Sequence, residues 1–170
     1  MIFKAILQRL DSDVWGHYVA VPQDIVETLT KDKNKRVICL FKGAYRKHCA
    51  LMPKGDGTFF INVRKELHTK LGIQLGDEIE LTIEKDTSKY GMPMPEEMTE
   101  LLAIDEEGNT LFHALTLGKQ RSLLHIIGKP KNSDTRLRKA LVIIDFLKHN
   151  SGILDFKLLN QAFKDSKGKY

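Results

Sequence analysis

The chain has 170 residues, of which 42% are hydrophobic and 29% charged, and its formal net charge is +5. This length and composition predict a globular protein with either one compact domain or two small ones. No apolar run approaches the roughly 18 to 20 residues of a membrane-spanning helix, and the first residues lack the pattern of a signal peptide. We therefore expect a cytoplasmic protein.

The first half of the chain contains an internal repeat at a spacing of 42 residues. Residues 18–21 align with residues 60–63, and the alternating apolar positions of 36–42 align with those of 78–84. A shift of one residue would turn the apolar face of each strand outward, so this agreement of phase indicates a repeated structure.

Each repeat predicts a strand, a short helix and a second strand. The predicted elements are residues 15–21, 23–29 and 36–42 in the first repeat, and residues 58–63, 65–71 and 78–84 in the second. Between the helix and the last strand, Gly76-Asp77 predicts a tight turn, which glycine enters cheaply and whose carboxylate accepts backbone N–H groups. Asn34-Lys35 holds the same place in the first repeat. Cys39 lies on a buried strand face, so we expect Cys39 and Cys49 to be free thiols.

The stretch KELHTKLGIQLGDEIELTIE, residues 65–84, resembles the hallmark of the AbrB/MazE type of swapped-hairpin, cradle-loop barrel. The resemblance implies an α+β protein in which residues 1–86 form a pseudo-two-fold, double-split, AbrB-like β-barrel from two βαβ-type repeats. Members of that group usually build the barrel from two chains. Two repeats in one chain therefore imply a barrel closed within a monomer.

Three residues of the barrel are candidates for contact with a ligand at its mouth: Trp15, Arg36 and His48. Trp15 lies where an aromatic side chain caps a barrel mouth, with packing as the alternative role. An enzyme would need a pocket between the barrel and the helices, lined by Trp15, His48 or His125. We expect no catalytic residues, because the chain has no phosphate-binding glycine loop and no nucleophile motif. The spacing of its histidines and cysteines predicts neither a metal site nor a cofactor.

The second half of the chain predicts a small all-α domain. Residues 87–94 contain Ser88, Gly91 and Pro93 and lack periodicity, so they predict a linker. Helices are expected within residues 95–170, at 96–103, 109–115, 119–128, 134–150 and 155–163. Ser133 is expected as the N-cap of the long helix. The buried face of that helix is expected to consist of Leu137, Leu141, Ile144 and Leu147.

The charges of the second half are unevenly distributed. Residues 92–118 hold six acids and no lysine or arginine, whereas residues 119–170 hold twelve lysines and arginines against four acids. Basic residues and a helix N-terminus surround residues 128–132, which predicts a site for phosphate, carboxylate or nucleic acid. The candidate residues are Arg121, Lys129, Lys131, Thr135, Arg136, Arg138 and Lys139. The alternative is that Arg121 and Arg136 pair with the acids of residues 96–107 and hold the helices together.

The whole chain resembles a small bacterial domain of unknown function followed by a YdeI/OmpD-associated domain. The first part of the resemblance rests on residues 19–22, residues 51–57 and the Gly76-Asp77 turn. The second part rests on a helix opened by Pro-Glu-Glu and on Arg121, Ile126-Ile127 and Thr135-Arg136. Ile127 departs from relatives, which often have a Trp-Ile pair there. The resemblance implies a role in bacterial stress or in protection against bacteriocins and antimicrobial peptides.

These observations predict a non-enzymatic, monomeric binding protein that engages an anionic partner, nucleic acid or another polyanion, through a basic helical surface. Two alternatives stay open. The barrel resemblance favours a DNA-binding regulator of the AbrB-like type, although a fold does not by itself fix a function. The protein would otherwise be a structural adaptor without affinity for nucleic acid.

Overall fold

The structure, a computed structural model, describes residues 1–10 and 16–167. The chain divides into two compact units, Met1–Gly91 and Met92–Tyr170, called here the barrel unit and the helical unit. The elements of the barrel unit are β1 Ile2–Arg9, β2 His17–Val21, α1 Gln23–Leu29, β3 Arg36–Phe41, β4 Tyr45–Ala50, β5 Met52–Pro53, β6 Phe59–Asn62, α2 Lys65–Leu71 and β7 Glu78–Lys85. The elements of the helical unit are α3 Glu96–Ile104, α4 Glu106–Ala114, α5 Leu117–Gly128, α6 Ser133–His149 and α7 Phe156–Asp165.

The strands of the barrel unit form one antiparallel sheet in the order β4-β3-β7-β1-β2-β6-β5. Strand β1 is split between two neighbours: residues 2–6 pair with β7 and residues 7–9 pair with β2. Strands β4 and β5 stand at opposite ends of the order, yet only Leu51 separates them in the chain. The sheet therefore curls back on itself at Leu51. The predicted α+β class with an N-terminal double-split barrel is confirmed.

The predicted repeat is confirmed by the strand pairing. Val19 pairs with Ile61 and Leu40 pairs with Thr82, and each residue is 42 positions from its own partner. In an antiparallel pair this happens only where a two-fold axis passes between the strands. The axis relates the split in β1 to the split between β4 and β5. Accordingly, Leu7 N donates to Asp77 O and Leu51 N donates to Lys35 O, both at 2.8 Å.

Three strands were not predicted from the sequence: β1, β4 and β5. The repeat was predicted as two strand–helix–strand units, and the structure adds a split strand to each of them. Strand β4 reads Tyr-Arg-Lys-His-Cys-Ala, with a single buried residue, so it lacks the apolar alternation that identifies β3 and β7. Strand β2 begins at His17 in the structure, and the predicted start at Trp15 lies outside the described residues.

The Gly76-Asp77 turn has the predicted geometry. Gly76 has a φ of +94°, and the Asp77 carboxylate accepts a hydrogen bond from Gln74 N at 2.8 Å. Gly76 N donates to Leu7 O at 2.9 Å, which fixes the turn to the point where β1 splits. The turn therefore fixes the start of β7 against the split in β1.

Replacing Gly76 with alanine is expected to destabilise the protein by about 1 to 2 kcal/mol, because an L side chain rarely adopts this backbone conformation. A Cβ at Gly76 would meet no atom within 4 Å, so the cost is one of backbone strain alone. Gly118→Ala is the control, since a Cβ there is equally uncrowded and Gly118 lies in helix α5, where φ is not positive. Urea denaturation of both variants measures the difference. Equal stability of the two would contradict the prediction.

The core of the barrel unit consists of inward-facing aliphatic and aromatic residues of β1–β4, β6 and β7 together with the apolar faces of α1 and α2. Cys39 and Cys49 belong to this core, and both are free thiols as expected. A hydrogen bond with Cys49, together with burial, raises the pKa of the Cys39 thiol. A buried thiol with a raised pKa is a poor nucleophile, which fits a packing role for Cys39.

The helical unit contains the five predicted helices, with two corrections on α6. The N-cap is Asn132, not Ser133, because the Asn132 carboxamide accepts a hydrogen bond from Thr135 N at 2.9 Å. Leu137 was expected in the core and is 43% exposed. The inward-facing side of α6 runs from Ala140 back to Arg136, one turn earlier. Arg136 forms a hydrogen bond there with Glu97 of α3. A charged residue thus occupies the place expected for a leucine.

Candidate functional site

The basic residues predicted as an anion site lie around the end of α5 and the first two turns of α6. Lys129 and Lys131 are exposed, whereas Arg136, Arg138 and Lys139 are half-buried. Half-burial of a long cationic side chain means that part of it has a partner inside the protein. The contacts of each residue therefore decide which of them can reach a ligand.

Arg136 is committed to a partner within the helical unit. Its Nε lies 2.9 and 3.0 Å from the two carboxylate oxygens of Glu97, and its Nη2 lies 2.6 Å from Glu97 Oε1. Ser133 Oγ also donates to Glu97 Oε1, at 2.6 Å. The hydrogen bonds from Arg136 and Ser133 lower the pKa of Glu97 to about 2, and the bond to Glu97 raises the pKa of Arg136. Arg136 thus joins α6 to α3, as the alternative from the sequence proposed.

The N-terminus of α6 is also partly occupied. Arg136 Nη1 donates to Lys131 O at 2.8 Å, and the Asn132 side chain accepts from Thr135 N. The backbone donor of Thr135 is therefore used by the N-cap. Arg121 is half-buried on α5 and has its own contact within the protein. The structure thus does not bring Arg121, Thr135 and Arg136 together as one open anion site.

Lys129, Arg138 and Lys139 form a group that we call the cation cluster. Lys139 Nζ donates to Ile126 O at 3.2 Å and lies 5.9 Å from the centroid of the Phe163 ring. Burial lowers the pKa of Lys139, and the positive charges of Lys129 and Arg138 lower it further. Among the described residues, no carboxylate forms an ion pair with these three side chains. The cluster is a region of uncompensated positive charge.

An apolar cavity of about 430 Å³ lies beside the Glu97–Arg136 pair in the helical unit. Residues 92–95, Leu124, His125 and Lys129 contribute to its wall. Its size falls within the range of small-molecule sites. Because Arg136 and Glu97 satisfy each other at its edge, the cavity offers mainly apolar surface and the Lys129 ammonium.

In the barrel unit, the two described candidates for the barrel mouth, Arg36 and His48, lie together. They line one pocket of about 170 Å³ with Lys47, Asn62 and Arg64, and we call it the basic pocket. Arg36 Nη2 donates to Gly91 O at 2.7 Å, which holds residues 86–91 against the barrel. Trp15, the third candidate, lies outside the described residues.

His48 has a buried partner that the sequence analysis missed. Its Nδ1 lies 2.8 Å from Asp86 Oδ2, and the Asp86 side chain is 0% exposed. Burial opposes ionisation of Asp86, but hydrogen bonds from Ser88 and His48 outweigh it and lower the pKa of the carboxyl. The sequence analysis ended the barrel at Asp86 and predicted a linker after it. His48 is 38 positions away in the chain, so the sequence did not indicate that the two side chains meet. The only local signal was the Asp-x-Ser turn of Asp86 and Ser88.

Within residues 1–10 and 16–167, no three side chains of histidine, cysteine, aspartate or glutamate come together in a way that would hold a metal ion. In the described part of the chain, none of the helices combines the length and the apolarity that crossing a bilayer requires.

Comparison with protein families gives one match for each unit. Residues 3–83 match a family described as "Domain of unknown function (DUF1905)". Residues 92–150 match the OmdA family, described as "Bacteriocin-protection, YdeI or OmpD-Associated". No curated protein matches the chain with significant similarity. The chain therefore matches the DUF1905 family over its first unit and the bacteriocin-protection, YdeI or OmpD-associated family over its second, in the order that its sequence resembles.

Proposed function

We propose that this protein acts by binding, without catalysis, and that it engages a polyanion through the basic face of its helical unit. The observation that carries the proposal is the cation cluster of Lys129, Arg138 and Lys139, for which the described residues provide no carboxylate partner. Like charges held close together destabilise the free protein, and an anionic ligand removes that repulsion. Lys131 is exposed one turn before α6 and extends the same face.

Polyanion recognition by this face would depend on charge and not on sequence. Lysine and arginine bind phosphates as they release condensed counterions, which makes affinity fall steeply with salt. Four such contacts correspond to a slope of log K against log salt of about −3 to −4. Base-specific readout would need side chains that reach base edges in a groove, and the proposal assigns no such contact to the cluster.

The barrel offers less support for a DNA-binding regulator of the AbrB-like type. Symmetric barrels of that group use paired arginines from two identical arms. The pseudo-two-fold axis here relates Arg36 to Glu78 and Arg64 to Pro22, so neither arginine has a symmetric counterpart. The polyanion surface of the helical unit is the better candidate, and a structural adaptor remains the outcome if no polyanion binds.

The biological setting that we propose is protection of a bacterial cell from stress or from bacteriocins and antimicrobial peptides, with the protein acting in the cytoplasm. The support for this setting is the description of the family that residues 92–150 match. An anionic partner of the helical unit would give that family role a physical basis.

The test is fluorescence anisotropy with labelled DNA and RNA of unrelated sequence, and with polyphosphate, at two salt concentrations. The double variant Lys129→Glu, Lys131→Glu is expected to bind at least about tenfold more weakly and to reduce the salt slope by about 2. Both lysines are exposed, so the changes leave the core intact. The matched control is Lys31→Glu with Lys157→Glu, which makes the same change in net charge at exposed sites elsewhere.

Two results would contradict the proposal. The first is absence of binding to all three polyanions at low salt, which would favour the adaptor. The second is an equal loss of affinity in the control variant, because the effect would then follow net charge and not the basic face.

A further inference from the structure

We propose that the basic pocket of the barrel unit is a binding site for a phosphoryl group, held by Arg36, His48, Asn62 and Arg64. This site is separate from the polyanion surface, since it lies in the other unit of the chain. The inference rests on three observations: the internal symmetry of the barrel, the fixed orientation of His48, and the size and donor set of the pocket.

The pseudo-two-fold axis relates each residue of the pocket to a residue at the equivalent position in the other half of the barrel. Arg36 on β3 is related to Glu78 on β7, and His48 on β4 is related to Lys4 on β1, because they hold matching places in the paired strands. On the β1–β7 side the related residues form an ion pair, with Lys4 Nζ 3.3 Å from Glu78 Oε1. On the β3–β4 side the same places hold an arginine and a histidine, which cannot neutralise each other.

The remaining residues of the pocket increase this asymmetry. Asn62 and Arg64 are related by the 42-residue repeat to Ala20 and Pro22, which have no polar side chains. One side of the barrel thus has a self-neutralising pair, and the other has a group of hydrogen-bond donors. The other half of the barrel forms without an arginine, a histidine or an asparagine at these places.

The orientation of His48 also points to a ligand. Asp86 is fully buried and accepts hydrogen bonds from Ser88 N at 3.0 Å and from Ser88 Oγ at 2.5 Å. It holds His48 Nδ1 at 2.8 Å, which fixes the imidazole ring and sets Nδ1 as the donor towards the carboxylate. The other edge of the ring, with Nε2, is left for the pocket. Asp86 thus orients a histidine whose side chain is 14% exposed.

The donor set and the volume favour a phosphoryl group. Two guanidinium groups and a carboxamide offer several N–H donors to a tetrahedral oxyanion, and arginine forks suit phosphate oxygens well. With Nδ1 donating to Asp86, His48 Nε2 can accept a hydrogen bond from the hydroxyl of a monoprotonated phosphate. At about 30 Å³ per water, a pocket of about 170 Å³ has room for one such group with a few waters. It is smaller than the roughly 300 Å³ at which sites for drug-sized molecules begin. The group is therefore free phosphate or the terminal phosphate of a larger ester.

The test is an NMR titration of the full chain with inorganic phosphate, glycerol 1-phosphate and acetate in parallel. We expect amide shifts on β3, β4 and β6 and a Kd of about 1 mM or tighter for phosphate. Binding of both phosphate compounds assigns the pocket to a phosphate monoester, and binding of inorganic phosphate alone assigns it to the free ion. Acetate binding as tightly as phosphate would overturn the assignment, as would no shift at about 10 mM phosphate.

Two variants assign the effect to the pocket. Arg64→Gln removes an exposed guanidinium and is expected to weaken phosphate binding at least tenfold. Asn62→Asp keeps the shape of the side chain, adds a repelling charge, and is expected to do the same. Arg46→Gln is the matched control, since Arg46 is an exposed arginine of β4 that does not line the pocket. An equal loss in Arg46→Gln would overturn the proposal. The variant Lys129→Glu, Lys131→Glu should keep phosphate binding, which separates this site from the polyanion surface.

Discussion

Replacing Gly108 with alanine is expected to destabilise the helical unit by about 2 kcal/mol, although alanine is the better helix former. Gly108 lies in the first turn of α4, where a Cβ would stand 2.5 Å from Ile144 Cγ2 and 2.9 Å from Asp105 Oδ2. Neither neighbour can move freely. Ile144 is buried in α6, and the Asp105 carboxylate accepts from Gly108 N at 2.9 Å and pairs with Lys148 at 2.6 Å. The overpacking cost of about 3 kcal/mol outweighs the gain of about 1 kcal/mol in helix propensity.

Urea denaturation followed by circular dichroism at a helix wavelength measures this change. Gly118→Ala is the matched control, because Gly118 is in α5 and a Cβ there meets no atom within 4 Å. That variant should be neutral or stabilised. A second check uses Ile144→Ala, which removes the clashing methyl group at its own cost of about 3 kcal/mol. In that background Gly108→Ala should lose most of its penalty, and a full penalty there would show that the contact with Ile144 is not its cause.

The strands of the barrel could be predicted from the sequence only where inward apolar residues alternate with outward polar ones. The second strand of each repeat carries three inward apolar residues in phase, so β3 and β7 were predicted with the correct buried face. Strand β4 has Arg46, Lys47 and His48 in succession, because it lines the basic pocket and not only the core. These polar residues hid the periodicity on which the prediction depends. Strand β5 has two residues and no pattern of its own.

The candidate site could be predicted only as a list of cations. Sequence places Arg136 and Lys139 three residues apart on one helix, and it gives no means of telling which one is already paired. Arg136 meets Glu97, 39 positions away, whereas the described partners of Lys139 are a carbonyl, an aromatic ring and other cations. The choice between an internal ion pair and a ligand contact is made by tertiary packing. The same holds for His48, whose partner Asp86 is 38 residues distant.

The two units therefore use their positive charges differently. In the helical unit, Arg136 is paired with Glu97, whereas the cation cluster has no carboxylate partner in the part of the chain that the structure describes. In the barrel unit, the charges converge on a small pocket beside a histidine that a buried carboxylate orients. A diffuse basic face suits an extended polyanion, and a pocket with several directed donors suits a single phosphoryl group. The two proposals can fail independently, since their variants lie in different units.

The Glu97–Arg136 pair is expected to be the main pH-sensitive contact of the helical unit. Glu97→Gln keeps the size of the side chain but puts an amide group against the guanidinium, so two donors face each other. The loss of charge-assisted hydrogen bonds is expected to cost about 2 kcal/mol at neutral pH. Ser133→Ala, which removes one donor to the same carboxylate, should cost about 1 kcal/mol. Glu100→Gln, an exposed change on the same helix, is the control and should be nearly neutral.

The pH dependence provides the decisive measurement. The pKa of Glu97 falls from its ordinary value of 4.5 to about 2 in the folded chain, so the ionised form is the one that folding favours. The stabilisation is therefore complete above pH 4.5 and decreases as the pH falls towards 2. Because Lys148 also lowers the pKa of Asp105, the informative quantity is the difference in unfolding free energy between the wild type and Glu97→Gln. That difference should shrink steadily between pH 4.5 and pH 2. A difference that stays constant across this interval would show that the ionised Glu97 does not hold α3 to α6.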